Sequence, residues 1–482
     1  MTDEGLDRKI LKSSGWVAVS YGGRSVLAML STLALVRLLE PKAFGLVALA
    51  TMVLLVLEYV QSSGIGTAVV YKRDDAERTA SSAFVFAGGA GLLLAIALAT
   101  AAPLLAWALR APGLTDVLRA LSALLLLRGL SVVPEALLEQ ALDFRSRAQA
   151  ELAAGVVQIG VSVGMAVAGA GVWSLVGGQL GAGAVQAAIL WLRVPWRPSR
   201  RHVSLPVLRG LMSYGRFVSA GNILGLVNST IDNVVVGRML GPALLGFYAV
   251  TYRLADMPTA VVGHVVGRVM FPAYAHLQDD PAAFRRAFVQ TLQRVSLFSL
   301  PLSVGLAVGA RPIVAALLGP SWLGMVPTLR ILAVFGLVRA FAATCGPVFQ
   351  AAGKPHLVPL WAIPHTVVVI PALVVLVPRY HVAGAAAAML AAMTASALPV
   401  FVTATRLLGL RVGELVSALA PTVASSAILG IAMAALLPVA GRISPPAGLA
   451  LLAAAGLLVY AIGIALLARQ TVVPMWVTLR SR

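Results

Sequence analysis

The dominant pattern along the chain is a succession of long apolar runs separated by short polar segments. One such run, AFVFAGGAGLLLAIALATAAPLLAWAL at 83–109, contains no charged residue and no two-residue alternation of apolar and polar positions. A helix of about 20 apolar residues crosses a hydrocarbon core about 30 Å thick, whereas a membrane β-strand shows about ten alternating residues. The pattern therefore predicts an all-α integral membrane protein.

Fourteen of these runs are long enough to cross a bilayer. The predicted spans cover 14–39, 44–64, 80–109, 117–138, 152–170, 172–192, 208–240, 243–264, 288–310, 326–349, 357–377, 382–405, 415–440 and 446–468. An even number of spans places both termini on one side, and most of the 37 Lys and Arg residues lie in the termini and loops of that side. The positive-inside rule therefore predicts a multi-pass protein of the cytoplasmic (inner) membrane with both termini cytoplasmic. We expect no cleaved signal peptide, because the charged start MTDEGLDRKILK leads directly into a full span.

Two repeated segments relate the halves of the chain. RLLEPKAFG at 37–45 and RMLGPALLG at 238–246 share Arg, Leu, Pro and Gly at an offset of 201 (238 − 37). LRALSALLLLR at 118–128 matches LRILAVFGLVR at 329–339 at an offset of 211 (339 − 128). Repeats of this kind predict two pseudo-symmetric six-helix lobes around a central cavity, followed by two C-terminal helices.

The repeat also sets the predicted boundaries. The N-lobe is predicted at 1–205, the C-lobe at 206–410, and the last two spans with the C-terminal tail at 411–482. Pro41 and Pro242 are expected to begin the next helix at its first turn, where the missing amide hydrogen costs nothing.

One predicted inner loop carries its own helix signal. Asp280 followed by Pro281 is typical of a helix start, and Phe284, Phe288 and Leu292 then recur every four residues. We interpret this segment as a helix at the inner membrane interface that runs into the ninth span. A solvated connector is the alternative.

The overall composition agrees with a membrane protein and excludes several classes of function. Hydrophobic residues make up 59% of the 482 residues and charged residues 11%, with a mean hydropathy of +0.91. The net charge of +19 is spread over loops near lipid headgroups, so membrane lipids are the expected partners and nucleic acid is not. Cys345 is the only cysteine, which excludes disulfides within the chain and cysteine metal sites. No metal or cofactor site is predicted, and no motif indicates an enzyme.

Four arginines lie near the centres of predicted spans and are the candidate substrate-binding residues. They are Arg24, Arg128, Arg253 and Arg339. A lipid-facing arginine costs about 2.5 to 3.5 kcal/mol on an insertion scale, so each is expected to face water or a partner. Because few acidic residues lie inside the predicted spans, we expect a net cationic interior that binds an anionic substrate. Guanidinium groups recognise phosphate oxygens in a two-pronged geometry.

The roles of these charges have alternatives. Arg24 either lines a cavity or packs inside the bundle. Arg253 can pair with Asp256 three residues later on the same helix face. Arg128 and Arg339 either line the path symmetrically or hold the lobes in shape.

The acidic residues and the seventh span add further candidates. Glu58 and Asp256 are candidates for coupling to a proton or sodium ion, and Glu58 is alternatively the partner of a cavity arginine. The polar residues of the seventh span are of types that bind sugars, with hydrogen bonding between helices as the alternative. These residues are Asn222, Asn228, Asp232 and Asn233.

Several segments resemble the bacterial polysaccharide transporters, the Wzx-type flippases of lipid-linked oligosaccharides. They include RLLEPKAFG, SGIGTAVV with the following KRD, LLEQALDFRSRA, GVWSLVGGQ and FQAAGKP. The resemblance extends to the multidrug/oligosaccharidyl-lipid/polysaccharide exporter superfamily. It implies fourteen helices, alternating access, and export of an undecaprenyl-diphosphate-linked glycan, together with a polysaccharide polymerase and export machinery as partners. It also implies that arginines of the first and eighth spans line the cavity, which are Arg24 and Arg253 here.

Two other functions remain as alternatives. A multidrug or cation antiporter of the same superfamily would favour a cavity with more carboxylates than arginines. A non-transporting membrane component of glycan assembly would need these arginines only for stability. A membrane glycan polymerase is disfavoured, because the predicted outer loops are too short to bind a sugar chain.

Overall fold

The computed structural model of the chain describes residues 22–62, 66, 69, 76–199, 202–204, 206–208, 230–256, 270–354, 356–360 and 362–467. In these ranges the chain is helical between short turns, and none of these residues forms a β-strand. The all-α prediction is therefore confirmed. The chain divides into two compact units, Met1–Gly246 and Phe247–Arg482, which are called the first and second unit.

The first unit is built from long apolar helices joined by short turns. Its helices are α1 (22–38), α2 (Pro41–Ser62), α3 (Ala76–Ala108), α4 (Leu114–Leu121), α5 (Ala123–Gln140), α6 (Phe144–Val167), α7 (Val172–Arg193) and α8 (230–240). Asp143 caps α6, because its carboxylate accepts a hydrogen bond from the backbone amide of Ser146 at 3.1 Å.

The described residues of the second unit are also helical between short turns. Its helices are α9 (Pro242–Ala255), whose first residues belong to the first unit, α10 (Phe271–Ala275), α11 (Pro281–Val308), α12 (Val326–Ala343), α13 (Cys345–Ala351), α14 (Ala362–Leu407), α15 (Val412–Ala440) and α16 (Pro445–Leu467). Shorter helical turns lie at Ala310–Ile313, Val314–Leu318, Pro320–Met325 and Leu357–Leu360. The range of α14 contains two helices, because the backbone leaves the helical region at His381 (φ 53°, ψ −130°).

Ten helical segments of the described ranges are long and apolar enough to cross a membrane. They contain most of the predicted spans, and the break at His381 separates the predicted eleventh and twelfth spans. The predicted first, seventh and eighth spans lie partly outside the described residues. The total of fourteen, the two-lobe arrangement and the boundaries at 205 and 410 therefore stay predictions.

The repeated Pro and Gly positions have a direct structural role. Pro41 begins α2 and Pro242 begins α9, as predicted. The two helix starts pack against each other: a Cβ at Gly45 would overlap the carbonyl oxygen of Pro242, and a Cβ at Gly246 would overlap that of Pro41. Only glycine leaves room for this reciprocal backbone contact. In this contact, each copy of the repeated segment therefore supplies one proline carbonyl and one glycine.

A buried glutamine joins three helices of the first unit. The Nε2 atom of Gln61 in α2 donates to the carbonyl oxygen of Ala87 in α3 at 3.2 Å and to that of Leu125 in α5 at 2.8 Å. A Cβ at Gly91 or Gly129 would lie 2.6 or 2.8 Å from this Nε2 atom, so both glycines make space for the amide. Hydrogen bonds between membrane helices stabilise their association.

The predicted interfacial helix is a continuous part of a span. Asp280 caps α11 through the amides of residues 282 and 283, as predicted, and α11 continues without interruption into the ninth span. Phe284 and Phe288 are buried, with ring centroids 5.2 Å from Tyr274 and 6.3 Å from Phe401 respectively. The expectation that the apolar face of this segment lies on the membrane interface is therefore wrong, because it packs within the second unit.

The last two helices dock on α11. Ser296 of α11 and Thr422 of α15 form a hydrogen bond of 3.0 Å, and the hydroxyl of Tyr460 in α16 donates to the carbonyl oxygen of Leu297 at 2.7 Å. Near the N-terminus of α11, Arg285 donates a hydrogen bond to Glu414 of α15 at 2.6 Å. Polar contacts thus attach both α15 and α16 to α11 within the second unit.

Candidate functional site

Ion pairs within one unit are described for three of the candidate arginines. The pairs are Arg24 with Glu151, Arg128 with Glu58, and Arg339 with Asp256. Each of the three arginine side chains nevertheless keeps more than a third of its surface exposed. The expectation that acidic partners are scarce is therefore wrong for these three, although none of them is closed off from a ligand.

Arg24 lies on α1 and faces the start of α6. Its NH1 nitrogen is 3.5 Å from Oε2 of Glu151, and the side chain is 57% exposed. At 1.5 Å per residue, Arg24 is about 21 Å from the last residue of α1 along the helix axis. On the same helix, Ser25 is exposed, whereas Ser31 and Thr32 are buried. Arg24 is thus accessible on a helix whose residues are mostly apolar.

Glu151 belongs to a larger ionic cluster that the sequence analysis missed. Arg147 contacts Glu151 at 3.1 Å on its own helix, and Glu135 and Glu139 of α5 at 2.8 and 3.2 Å. The span prediction started at residue 152, whereas α6 starts at Phe144, so Glu151 lies inside the helix and reaches Arg24. The signal was the spacing of four residues between Glu135 and Glu139 and between Arg147 and Glu151, which places each pair on one helix face.

Arg128 meets Glu58 in the first unit. The Nε nitrogen of Arg128 on α5 is 3.8 Å from Oε1 of Glu58 on α2. This separation is an ion-pair distance but exceeds that of a hydrogen bond. The arrangement corresponds to the alternative in which Glu58 is the partner of a candidate arginine, and its role in ion coupling stays a prediction.

Arg339 is held more tightly in the second unit. Its NH1 nitrogen on α12 donates to Oδ1 of Asp256 and to the hydroxyl oxygen of Tyr252, both at 2.9 Å. The predicted partner of Asp256 is Arg253, three residues earlier on the same helix face. Arg253 is exposed on α9, one turn before Asp256, and its suggested pairing with Asp256 stays a prediction.

The candidate sugar-binding residues are only partly described. Asp232 on α8 is buried and Asn233 is half-buried. Asn222 and Asn228 lie outside the described residues. The role of this span in binding a glycan therefore stays a prediction.

Within the described ranges, no group of three or more His, Cys, Asp or Glu side chains is arranged to hold a metal ion. Cys345 is buried in the second unit, between residues that pack against α11. The ion pairs of Arg24, Arg128 and Arg339 offer guanidinium and carboxylate groups for ionic recognition.

The fold has a close counterpart among solved structures. The lipid II flippase MurJ in its inward closed conformation superposes with a TM-score of 0.77 at 12% sequence identity, over 94% of this chain and 99% of that chain. At this identity the likeness shows the fold alone.

Sequence comparison identifies the family. The chain is 23% identical over 376 residues to the lipopolysaccharide biosynthesis protein WzxC of Escherichia coli (strain K12), covering 77% of this chain and 75% of the relative. It is 26% identical over 356 residues to the succinoglycan biosynthesis transport protein ExoT of Rhizobium meliloti (strain 1021), covering 74% and 72%. The family described as Polysaccharide biosynthesis protein matches residues 34–327. This match covers more than half of the chain, so the protein belongs to the polysaccharide biosynthesis protein family, as its motifs predicted.

Proposed function

We propose that this membrane protein is a flippase for an undecaprenyl-diphosphate-linked oligosaccharide. It moves this anionic lipid from the inner to the outer leaflet of the cytoplasmic membrane by alternating access, with both termini cytoplasmic and without enzymatic chemistry. Membership of a polysaccharide biosynthesis family supports this function, as does similarity to a relative named as a succinoglycan transport protein. The likeness to the fold of a lipid II flippase supports an all-helical membrane fold. Within the proposal, fourteen helices form two lobes around a central cavity.

Arg24 carries the proposal. Its side chain is 57% exposed on a mostly apolar helix, and its contact with Glu151 at 3.5 Å is an ion pair that is longer than a typical hydrogen bond. A guanidinium group that faced lipid at this depth would cost about 2.5 to 3.5 kcal/mol. An exposed and weakly held arginine inside the bilayer is best explained by a water-filled path in which it binds the diphosphate.

In the same proposal, the remaining candidate residues bind the diphosphate, bind the glycan or couple transport to an ion. Arg253, exposed on α9, is the second diphosphate ligand. Either Arg128 or Arg339 assists these two ligands from within its ion pair. Asp232 and Asn233, with Asn222 and Asn228, contact the glycan, and Glu58 or Asp256 couples transport to a proton or sodium ion. A polysaccharide polymerase and the export machinery receive the product at the outer face.

The proposal is tested by Arg24→Ala in a strain that lacks the wild-type gene. We expect at least a tenfold loss of surface polysaccharide and accumulation of the lipid-linked glycan on the inner leaflet, with the protein level unchanged on an immunoblot. Arg24→Lys should restore part of the export, since lysine keeps the charge but not the two-pronged geometry.

Arg119→Ala is the matched control. Arg119 is also an exposed arginine of the first unit, 54% exposed and 3.9 Å from Asp116, but it lies outside the proposed site. Its export should equal that of the wild type. Full export by Arg24→Ala would contradict the proposed site, and a loss of export that only follows a loss of protein would favour a structural role in glycan assembly.

A further inference from the structure

Among the described residues, the ion pairs that lead from Arg24 contain more carboxylates than guanidinium groups. Arg24 and Arg147 are connected to Glu135, Glu139 and Glu151, so two guanidinium groups face three carboxylates and the formal charge of the cluster is −1 (2 − 3). A diphosphate that approaches Arg24 meets this negative charge. Binding is therefore opposed unless the carboxylate next to Arg24 moves away.

Glu151 is the carboxylate that contacts Arg24, and its contacts with Arg147 and with Arg24 differ in length. Oε1 accepts a hydrogen bond from Nε of Arg147 at 3.1 Å, one turn earlier on α6. Oε2 lies 3.5 Å from Arg24, which is too long for a strong charge-assisted hydrogen bond. The contact with Arg24 is thus the weaker of the two and the easier to break.

Arg147 still compensates the negative charge of Glu151 when the contact between Arg24 and Glu151 is broken. The Glu151 side chain is only 12% exposed, and a carboxylate at this burial requires a cation or hydrogen-bond donors. Arg147 remains in contact with it on the same helix when Arg24 turns away. Arg24 itself, at 57% exposure, has space to reorient. Exchange of the partner of Arg24 therefore leaves no buried charge without compensation.

We propose that Glu151 is a positioning residue that occupies Arg24 in the substrate-free protein and yields it to the diphosphate of the substrate. The inference rests on the proposed function, because it takes Arg24 as a diphosphate ligand. The carboxylate stands in for the phosphate oxygens, keeps the guanidinium group oriented, and lowers the net affinity. A transported anion must be released on the other side of the membrane, so a competing carboxylate favours turnover over tight binding.

The test is a binding measurement on the purified full-length protein in lipid nanodiscs. Farnesyl diphosphate is the probe, and farnesol, which lacks the diphosphate, controls for binding of the apolar tail. Loss of an ion pair between partly exposed groups corresponds to a few-fold change in affinity. We expect Glu151→Gln to bind farnesyl diphosphate about two- to fivefold more tightly than the wild type, with farnesol binding unchanged.

Glu139→Gln is the matched control, because Glu139 contacts Arg147 but is not paired with Arg24 in the structure. It should change the affinity by less than Glu151→Gln does. If Glu151→Gln does not fold, as judged by size exclusion and thermal unfolding, Glu151→Asp replaces it: the shorter side chain reaches Arg24 less well and should also tighten binding.

The sign of the effect separates the inference from a structural role. A residue that merely stabilises the site would weaken binding when it is changed, so equal or weaker binding of farnesyl diphosphate by Glu151→Gln overturns the exchange. The Arg24→Ala variant tests the underlying site separately. Unchanged binding by Arg24→Ala overturns the proposed site, whereas weak binding by Arg24→Ala without tighter binding by Glu151→Gln overturns only the role of Glu151.

Discussion

The two units place an equivalent arginine next to an acid in different ways. Arg128 and Arg339 occupy matching positions of the repeat, and each contacts an acid from the helix that begins with the repeated proline, or from the residue directly after that helix. Applying the offset of 201 to Glu58 gives position 259, so Asp256 lies three residues, about one turn, before the equivalent position. The repeat thus preserves the arginine and the chain segment that supplies the acid, but not the position of the acid.

The geometry of the two pairs differs as well. Arg339 has two partners at 2.9 Å, Asp256 and the hydroxyl of Tyr252, whereas the separation of Arg128 from Glu58 is 3.8 Å. The position equivalent to Tyr252 is Thr51, which is too short to provide a phenol oxygen. Arg339 is therefore fixed against the end of α9, and Arg128 is free to adopt other rotamers. This difference favours a structural role for Arg339 and a ligand-binding role for Arg128.

The largest expected effect concerns the contact in which the two repeats are alike. Gly45→Ala and Gly246→Ala each place a Cβ on a backbone carbonyl oxygen of the other copy, so both should lower the free energy of unfolding by about 2 to 4 kcal/mol. Thermal unfolding in detergent, followed by tryptophan fluorescence, measures the loss. Gly88→Ala is the control, because nothing lies within 4 Å of a Cβ there. A loss at only one of the two positions would contradict the reciprocal contact.

The second-largest expected effect is the difference in stability loss between removing Arg339 and removing Arg128. Both pairs are partly exposed, so Arg339→Ala should cost about 1 to 2 kcal/mol and Arg128→Ala about 0.5 kcal/mol or less in the same unfolding measurement. Arg128→Ala should instead reduce export at an unchanged protein level. Equal destabilisation by the two substitutions would remove the distinction between a fixed and an adaptable arginine.

The smallest expected effect concerns the phenol hydroxyl of Tyr252, whose equivalent position in the first unit is Thr51. Tyr252→Phe removes one acceptor of Arg339 and should cost about 1 kcal/mol of unfolding free energy. In the Arg339→Ala background the same substitution should cost much less, because the two residues act as a pair. Additive costs in this double-mutant cycle would show that Tyr252 stabilises the unit independently of Arg339.

Much of the fold was predictable because the relevant signals are local. Continuous apolar runs predicted the helices, Pro41 and Pro242 predicted helix starts, and Asp280 predicted the cap of α11. The face with Phe284 and Phe288 was interpreted wrongly for a physical reason. Aromatic residues at a spacing of four suit a lipid surface and a protein core equally well, and only the partner rings of Tyr274 and Phe401 decide between them.

The candidate site was less predictable because its contacts connect distant residues. Arg24 was identified from its position in an apolar helix, but Glu151 is 127 residues away in the sequence (151 − 24). A shift of the helix start to Phe144 moved this acid from a predicted loop into a helix. Hydrophobic patterns define the boundaries of spans only to within several residues, so a charge near a boundary is easily assigned to the wrong environment.

The amide of Gln61 sets the axial register between α2 and α5. Gln61 lies one turn after Glu58, and its partner carbonyl at Leu125 lies one turn before Arg128. Sliding either helix to bring the two charges closer would break a buried hydrogen bond of 2.8 Å. The gap between Glu58 and Arg128 therefore closes or widens by side-chain rotation alone, which happens without displacement of either backbone and on a far shorter timescale than a movement of whole helices.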